Sequence, residues 1–428
     1  MEDREAGVRR RGQAAARGGS RHGHPAGPRD AVRGGRRFLA GALVAAALLA
    51  GCGGGGTSGP GSAGITAQPA LSPQAALGGR IFADGTLSAS GRLSCASCHD
   101  PAHAHAAPNA NPVQMGGVLL DQPGVRSSPS IDYLAFNRAF RFEPDGTPTG
   151  GFFWDGRAAS LQDQAGHPIL GPFEMANASK ADVVARLERA DYAGDFKALF
   201  GPDIFERPDD AFDRITLALQ AFQLESAAFR AFTSKYDEFL RGNVQLSDAE
   251  LRGLALFNDP DKGNCQACHP SARGADGSFP LFTDFTYDNL GVPRNPALAR
   301  NADPAYFDLG LCARPDLASR TDLCGAFKVP SLRNVAVRQA YFHNGRFSTL
   351  KDVVTFYVQR DTNPEKWYPT DASGQVVKFD DLPPAYRGNV NTTEVPYNRR
   401  PGDAPALTDA EVDDVVAFLR TLSDGYRH

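Results

Sequence analysis

"GRLSCASCHDPAHAHA" occupies residues 91–106, and its central motif returns as "GNCQACHPSA" at 263–272. Each copy sets two cysteines three apart with a histidine directly behind, a spacing open to half a zinc site, a redox dithiol or a haem attachment point. The segments ahead of the two motifs match as well. "LSPQAALGGRIFAD" (71–84) aligns with "LSDAELRGLALFND" (246–259) at a constant offset of 175 residues. Both read as helix starts, with Ser72 or Ser247 as N-cap and Pro73 or Asp248 in the first turn. The apolar positions, Phe82 and Phe257 among them, fall on one helical face. Each half of the chain is therefore a helix, a short loop and a CxxCH motif, an internal repeat that predicts two related domains, 71–245 and 246–428.

Helical periodicity continues in "SKADVVARLERA" (179–190), in 212–240, and in "TDAEVDDVVAFLRTLSD" (408–424), where Thr408 and Glu411 form a capping box. Strand signals are scarce. The expected class is mainly α with long irregular loops, in keeping with 45 glycines and 31 prolines.

Covalent haem c needs two thiols placed to meet the two vinyl groups of a porphyrin, and an imidazole immediately after them to reach the iron. Cys95, Cys98 and His99 meet this need, as do Cys265, Cys268 and His269. A Cys2His2 zinc site would need a second ligand pair, which is not evident, and a thioredoxin-like dithiol would want a βαβ context. The reading is two cytochrome c-like domains in tandem, each with one covalent haem. The methionines are Met1, Met115 and Met175, all ahead of Cys265, so the second haem takes no Met ligand from its own domain. His343 in "AYFHNGRF" and Tyr357 in "VVTFYVQRDT" are the candidates there.

Residues 1–51 read as an export signal: an Arg-rich stretch ending Arg36–Arg37, the apolar run "FLAGALVAAALLAG" (38–51), then "LLAGC". That run is the length of a signal core and short for a bilayer span. The end resembles a bacterial lipobox, which makes Cys52 the lipidated first residue, 52–70 a flexible Gly-rich tether and the location periplasmic at a membrane. An ordinary cleaved signal is the alternative, and the paired Arg resembles a twin-arginine signal only loosely. The whole chain has a formal net charge of −4; without 1–51, which holds ten arginines and four acids, it is −10. A net-acidic exported protein is a poor nucleic-acid binder. Cys312 and Cys324 remain, and an oxidising compartment permits a disulfide across that irregular insertion, worth roughly 3 kcal/mol by chain entropy.

"CASCHD", "FFWDGRAASLQDQAGHPILGPFEM" (152–175), "LRGLALF…CQACH" and "FKVPSLRNVAVRQAYFHNGR" (327–346) together resemble the bacterial di-haem cytochrome c peroxidase family, which includes MauG, over about 71–424. The resemblance implies hydrogen peroxide as substrate at the N-terminal haem and electron relay by the C-terminal one. It assigns Trp154 to the coupling between them, Glu174 to acid–base catalysis and Gln164 to positioning peroxide. The reductant it implies is a small cytochrome c or a cupredoxin, or a protein side chain oxidised by high-valent iron.

Departures point to the MauG-like branch. Typical peroxidases carry a histidine in the loop that here reads "GGVLLDQPGVRSSPS" (116–130), where spacing selects Leu119. His103 and His105 read as solvent-loop residues, which leaves the N-terminal iron open. The position fourteen residues beyond His343 is Met in typical peroxidases and tyrosine in that branch; here it is Tyr357, with His343 left as a neighbour of the site. The family's interdomain calcium maps onto Ser127, Arg338 and Ala340, and Ser is a weaker ligand than the usual Asn, so calcium is optional. A non-catalytic di-haem electron carrier is the rival reading from another class. It has no use for a Gln164/Glu174 pair.

Overall fold

The computed structural model describes residues 70–427, so the leader, Cys52 and nearly all of the tether lie outside the described residues. In the first half the helices are α1 (Pro73–Ala83), the one-turn α2 (Cys95–Cys98), α3 (Leu161–Leu170), α4 (Lys180–Leu187), α5 (Ala193–Phe200) and α6 (Pro208–Glu225). Then come α7 (Lys235–Leu240), α8 (Asp248–Asn258), α9 (Leu350–Gln359) and α10 (Asp409–Arg420). Strand content among the described residues is three short antiparallel ladders. They pair β1 (Met115–Gly116) with β2 (Gln122–Pro123), β3 (Arg141–Phe142) with β4 (Pro148–Thr149), and β5 (Tyr287–Asp288) with β6 (Phe327–Lys328).

The repeat in the sequence is a repeat in space. Ser72 Oγ accepts from Ala75 N at 3.1 Å to start α1, and Ser247 with Glu250 forms a capping box that starts α8. One helix then crosses the last long helix of its own half, α1 on α6 and α8 on α10. The crossings are close because Gly78 and Gly253, 175 residues apart, have no side chain. A Cβ on Gly78 would collide with the Ala218 carbonyl, and one on Gly253 with the Asp414 carbonyl.

Around these crossings lie two separate apolar cores. The first joins Ile81 and Phe82 to Ile215, Leu219 and Phe229, and the second joins Phe257 and Phe282 to Phe356 and Phe418. Burying a side chain of this size contributes about 1.5–3 kcal/mol, so each core is a large share of the stability.

The helix expected over 212–240 is two helices. The first ends at Glu225, where the Ser226 hydroxyl accepts from Ala228 N and draws the backbone out of the helix. Phe229 then turns into the first core, and Ser234 recaps α7 with Asp237. Asp237 is fully buried and takes two bonds from Arg333, at 2.9 and 2.8 Å, tying this break to the second half. Between α8 and α9 the long insertion carries only short 3-10 turns and β5–β6, and it is closed by a Cys312–Cys324 bond of 2.00 Å. No helix among the described residues is long and apolar enough to cross a membrane.

Candidate functional site

Each CxxCH motif sits at the wall of a cavity. In the first half, Ser94 and Ser97 cap the single turn of α2, which sets Cys95 and Cys98 one turn apart on the same side. Both thiols are free, and burial raises them, Cys95 to about 12 and Cys98 to about 11. A redox dithiol works through a lowered thiol pKa, so these raised values count against that alternative. Cys265 and Cys268 are likewise free and pushed to about 12 by burial.

The two histidines are held alike. His99 Nδ1 lies 3.1 Å from the His105 carbonyl, and His269 Nδ1 lies 2.7 Å from the Phe282 carbonyl. A carbonyl only accepts, so Nδ1 carries the hydrogen and Nε2 keeps its lone pair for a metal. Burial lowers both imidazole pKa values, His99 to about 4, which keeps them neutral.

The first cavity, about 1980 Å³ counting what opens to solvent, is lined by Cys95, Cys98 and His99 and by Gln164 and Glu174. Glu174 is raised above the usual carboxylate range by burial, partly offset by Arg157. Its backbone is pinned, since its N–H donates to Gly171 O at 3.0 Å and its carbonyl accepts from Gly117 N at 2.9 Å. The second cavity, about 1480 Å³ on the same measure, is lined by Cys265, Cys268, His269, His343 and Tyr357. Tyr357 comes from α9, and burial followed by the nearby Cys268 pushes its phenol up. Its loss of a proton would therefore depend on a cation placed against it.

Trp154 lines both cavities. It is 8% exposed, and its Nε1–H donates to Ser127 O at 2.9 Å. Its backbone carbonyl accepts from Lys328 N at 2.9 Å, so this residue is tied to both halves of the chain, the indole to the first and the backbone to the second.

Other expected residues fall differently. His103 pairs with Asp100 at 2.7 Å and is partly exposed, but His105 is only 4% exposed, so the solvent-loop reading fails for it. His105 Nδ1 lies 2.7 Å from Asp132, and its ring stacks on Phe229 at 4.1 Å. Asp132, the partner that buries it, is 27 residues away and invisible to local pattern. Leu119 is 74% exposed and sits outside the cavity lining. Met115 and Met175 both line the first cavity, so two thioethers share the wall with His99, which is the single histidine of that lining. His343 is buried, stacks on Phe327 at 3.6 Å and has its pKa lowered to about 4 by burial.

Sequence reasoning passed over several lining residues. Tyr397 lies beside Tyr357 with ring centroids 6.1 Å apart. Lys328 and the Arg338 guanidinium line the second cavity, brought down by burial to about 7 and about 10. Tyr306, Phe307 and Leu309 of the insertion line the first cavity, an arrangement anchored by Arg126, whose guanidinium grips Asp308 at 2.6 and 2.7 Å.

These residues fit haem c. Neutral thiols at the wall of a roomy apolar cavity, an imidazole with Nε2 free, and buried cations that would receive carboxylates are what that group requires. They do not fit calcium. The Arg338 carbonyl already accepts from Tyr341 Oη at 2.8 Å, and the Ala340 carbonyl from the Arg338 guanidinium at 3.2 Å, a positive charge where a cation would sit. The third position, the Ser127 hydroxyl, is buried without a hydrogen-bond partner and supplies one neutral oxygen, where calcium takes about six to eight oxygen ligands, carboxylates among them.

Comparison with known proteins agrees. Residues 72–245 match the family described as di-haem cytochrome c peroxidase. The methylamine utilization protein MauG of Paracoccus denitrificans is 37% identical, over 84% of this chain and 90% of that protein. Cytochrome c peroxidase Ccp of Escherichia coli is 29% identical over 84% of this chain and 60% of its own length. The crystal structure of the diheme peroxidase BthA from Burkholderia thailandensis superposes with a TM-score of 0.77 at 42% identity, covering 83% of this chain and 87% of that one. Repeat, cavities and relatives converge: the chain belongs to the di-haem cytochrome c peroxidase and MauG family and binds two haem c groups covalently.

Proposed function

We propose that this protein is a MauG-like di-haem peroxidase that reacts with hydrogen peroxide on the His99 side and draws electrons through the His269 side. The observation that carries the reading is Trp154, a single indole on the wall of both cavities. Bound haem supplies the iron that takes peroxide and a porphyrin that holds oxidising equivalents.

The chain's own residues do the rest. Cys95 and Cys98 would hold the first haem covalently and Cys265 and Cys268 the second, with His99 and His269 offering Nε2 to the respective irons. Glu174, raised by burial, takes the proton from one peroxide oxygen and returns it to the other, which leaves as water. Gln164, one turn of α3 past its N-cap, orients peroxide from the same wall. Trp154 couples the two cavities, and Tyr357 would serve as a further protein ligand to the C-terminal haem iron.

The exposed Leu119 supports an N-terminal iron that is open before any reduction. In the same reading each apolar core with its CxxCH motif is one cytochrome c-like domain, divided at 245/246 in sequence, with α7 ahead of that division lending Tyr236 to the second core. The protein faces the periplasm, held by a lipid on Cys52, and its reductant is a small cytochrome c, a cupredoxin or an oxidisable protein side chain.

One experiment separates the readings: stoichiometric peroxide added to the protein with both irons ferric. A long-lived change in both Soret bands is expected. Turnover only after pre-reduction would replace the reading with that of an ordinary cytochrome c peroxidase. Silence towards peroxide and added ligands would leave an electron carrier.

A further inference from the structure

The loop behind the first CxxCH motif is held in a costly shape. Ala104 and His105 both take left-handed backbone, with φ of +53° and +48°, though neither is glycine. Such residues cost about 1–3 kcal/mol each and persist where surrounding contacts over-determine them. Those contacts converge on His105. Its N–H donates to the Asp100 carbonyl at 2.9 Å, and the Ala104 carbonyl accepts from Ser130 Oγ at 2.7 Å. Its own carbonyl accepts twice, from Ile131 N at 3.2 Å and from the His99 imidazole at 3.1 Å. The side chain is clamped by the neighbouring residue of the same strand of chain. Asp132 binds His105 Nδ1 at 2.7 Å, while Phe229 stacks on the ring and Phe82 meets its edge. Asp132 is fixed in turn by Asn334 at 3.2 Å, which also binds Asp424 at 2.9 Å. Thus Ile131 holds the His105 carbonyl and Asp132 holds its ring, and Asp132 is braced from the second half of the chain.

We propose that His105, locked by Asp132, is a positioning residue for His99. It fixes the carbonyl that receives the His99 Nδ1 hydrogen, and so sets the orientation and donor strength of Nε2 towards the N-terminal iron. This rests on the reading of His99 as that iron's axial ligand. A fixed Nδ1–H···O=C bond raises ligand basicity and favours the ferric state, and partners of this kind are worth 10- to 100-fold in metal-centre properties. The second site achieves the same bond with the carbonyl of Phe282, whose apolar side chain no carboxylate clamps, which makes the C-terminal haem an internal control.

The test uses the holoprotein with His105→Phe and with the double variant His105→Phe/Asp132→Leu. The single variant leaves a buried carboxylate short of its partner and is expected to fold poorly. The double variant removes both partners and keeps an apolar fill, so it is expected to fold. The expected result is a weakened iron–histidine stretch in the ferrous resonance Raman spectrum of the N-terminal haem. Its reduction equilibrium should shift about tenfold towards ferrous, a 59 mV rise for a one-electron couple, with the C-terminal haem unmoved. A folded double variant whose N-terminal stretch and potential both match wild type overturns the proposal, as does an equal shift at both haems. A His99→Gly protein with an unchanged N-terminal haem spectrum would instead remove the ligand reading on which the proposal stands.

Discussion

The two CxxCH sites are built alike around the motif and differ in the rest of their lining. Each has paired neutral thiols, a histidine with Nδ1 on a backbone carbonyl, and a glycine-permitted helix crossing behind it. The first cavity's lining adds a carboxylate and an amide, Glu174 and Gln164; the second's adds Tyr357, Tyr397 and His343. The attachment chemistry was duplicated and kept, while the walls that decide what the iron can do diverged. One wall carries a carboxylate and an amide. The other offers ligands and aromatic rings.

The sharpest break of that contrast is Glu174→Gln. It should slow the reaction with peroxide by about 10²–10⁴-fold in stopped-flow measurements while leaving the C-terminal spectrum alone. The pH profile gives the sign. Glu174 must be ionised to take a proton, and its pKa is raised, so reactivity should fall as pH drops through a value above the usual carboxylate range. The Gln variant should lack that limb. Equal reactivity of the two proteins at every pH would remove Glu174 from the chemistry.

Next in size is Tyr357→Phe, which should alter the low-spin electron paramagnetic resonance signal of the C-terminal haem and raise its potential, with the N-terminal signal intact. An unchanged signal would pass the ligand role to a neighbour such as His343 or Tyr397.

Smaller and symmetrical are Gly78→Ala and Gly253→Ala. Each forces a Cβ against a backbone carbonyl and should cost about 1–3 kcal/mol by denaturant unfolding. A cost at only one of them would mean that the two crossings are not equivalent. The smallest effect is none: a calcium chelator should leave both haem spectra unchanged, because Arg338 already places a cation at the Ala340 carbonyl. A chelator-dependent spectrum would reverse that assignment.

What the sequence disclosed was periodic or covalent. The 175-residue offset foretold the matching helices α1 and α8, and spacing alone found the four thiols and two imidazoles. What it hid was set by contacts between distant segments. His105 looks like one histidine among several in an Ala-rich loop, and only Asp132, Phe229 and the fold that assembles them make it a buried residue. The helical period over 212–240 runs on through Ser226, but turning Phe229 into the core outweighs one continuous helix. The insertion reads as a loop belonging to the second half, yet Tyr306, Phe307 and Leu309 line the first cavity.

That last placement has a mirror image in Trp154, a residue of the first half on the wall of the second cavity. Each half has lent its sibling a piece of wall. A gene fragment ending near residue 245 would yield a haem pocket missing its Tyr306–Leu309 side, and the complementary fragment a pocket missing its indole. Neither half carries a complete wall of its own: the two repeats are joined through the cavities as well as through the chain.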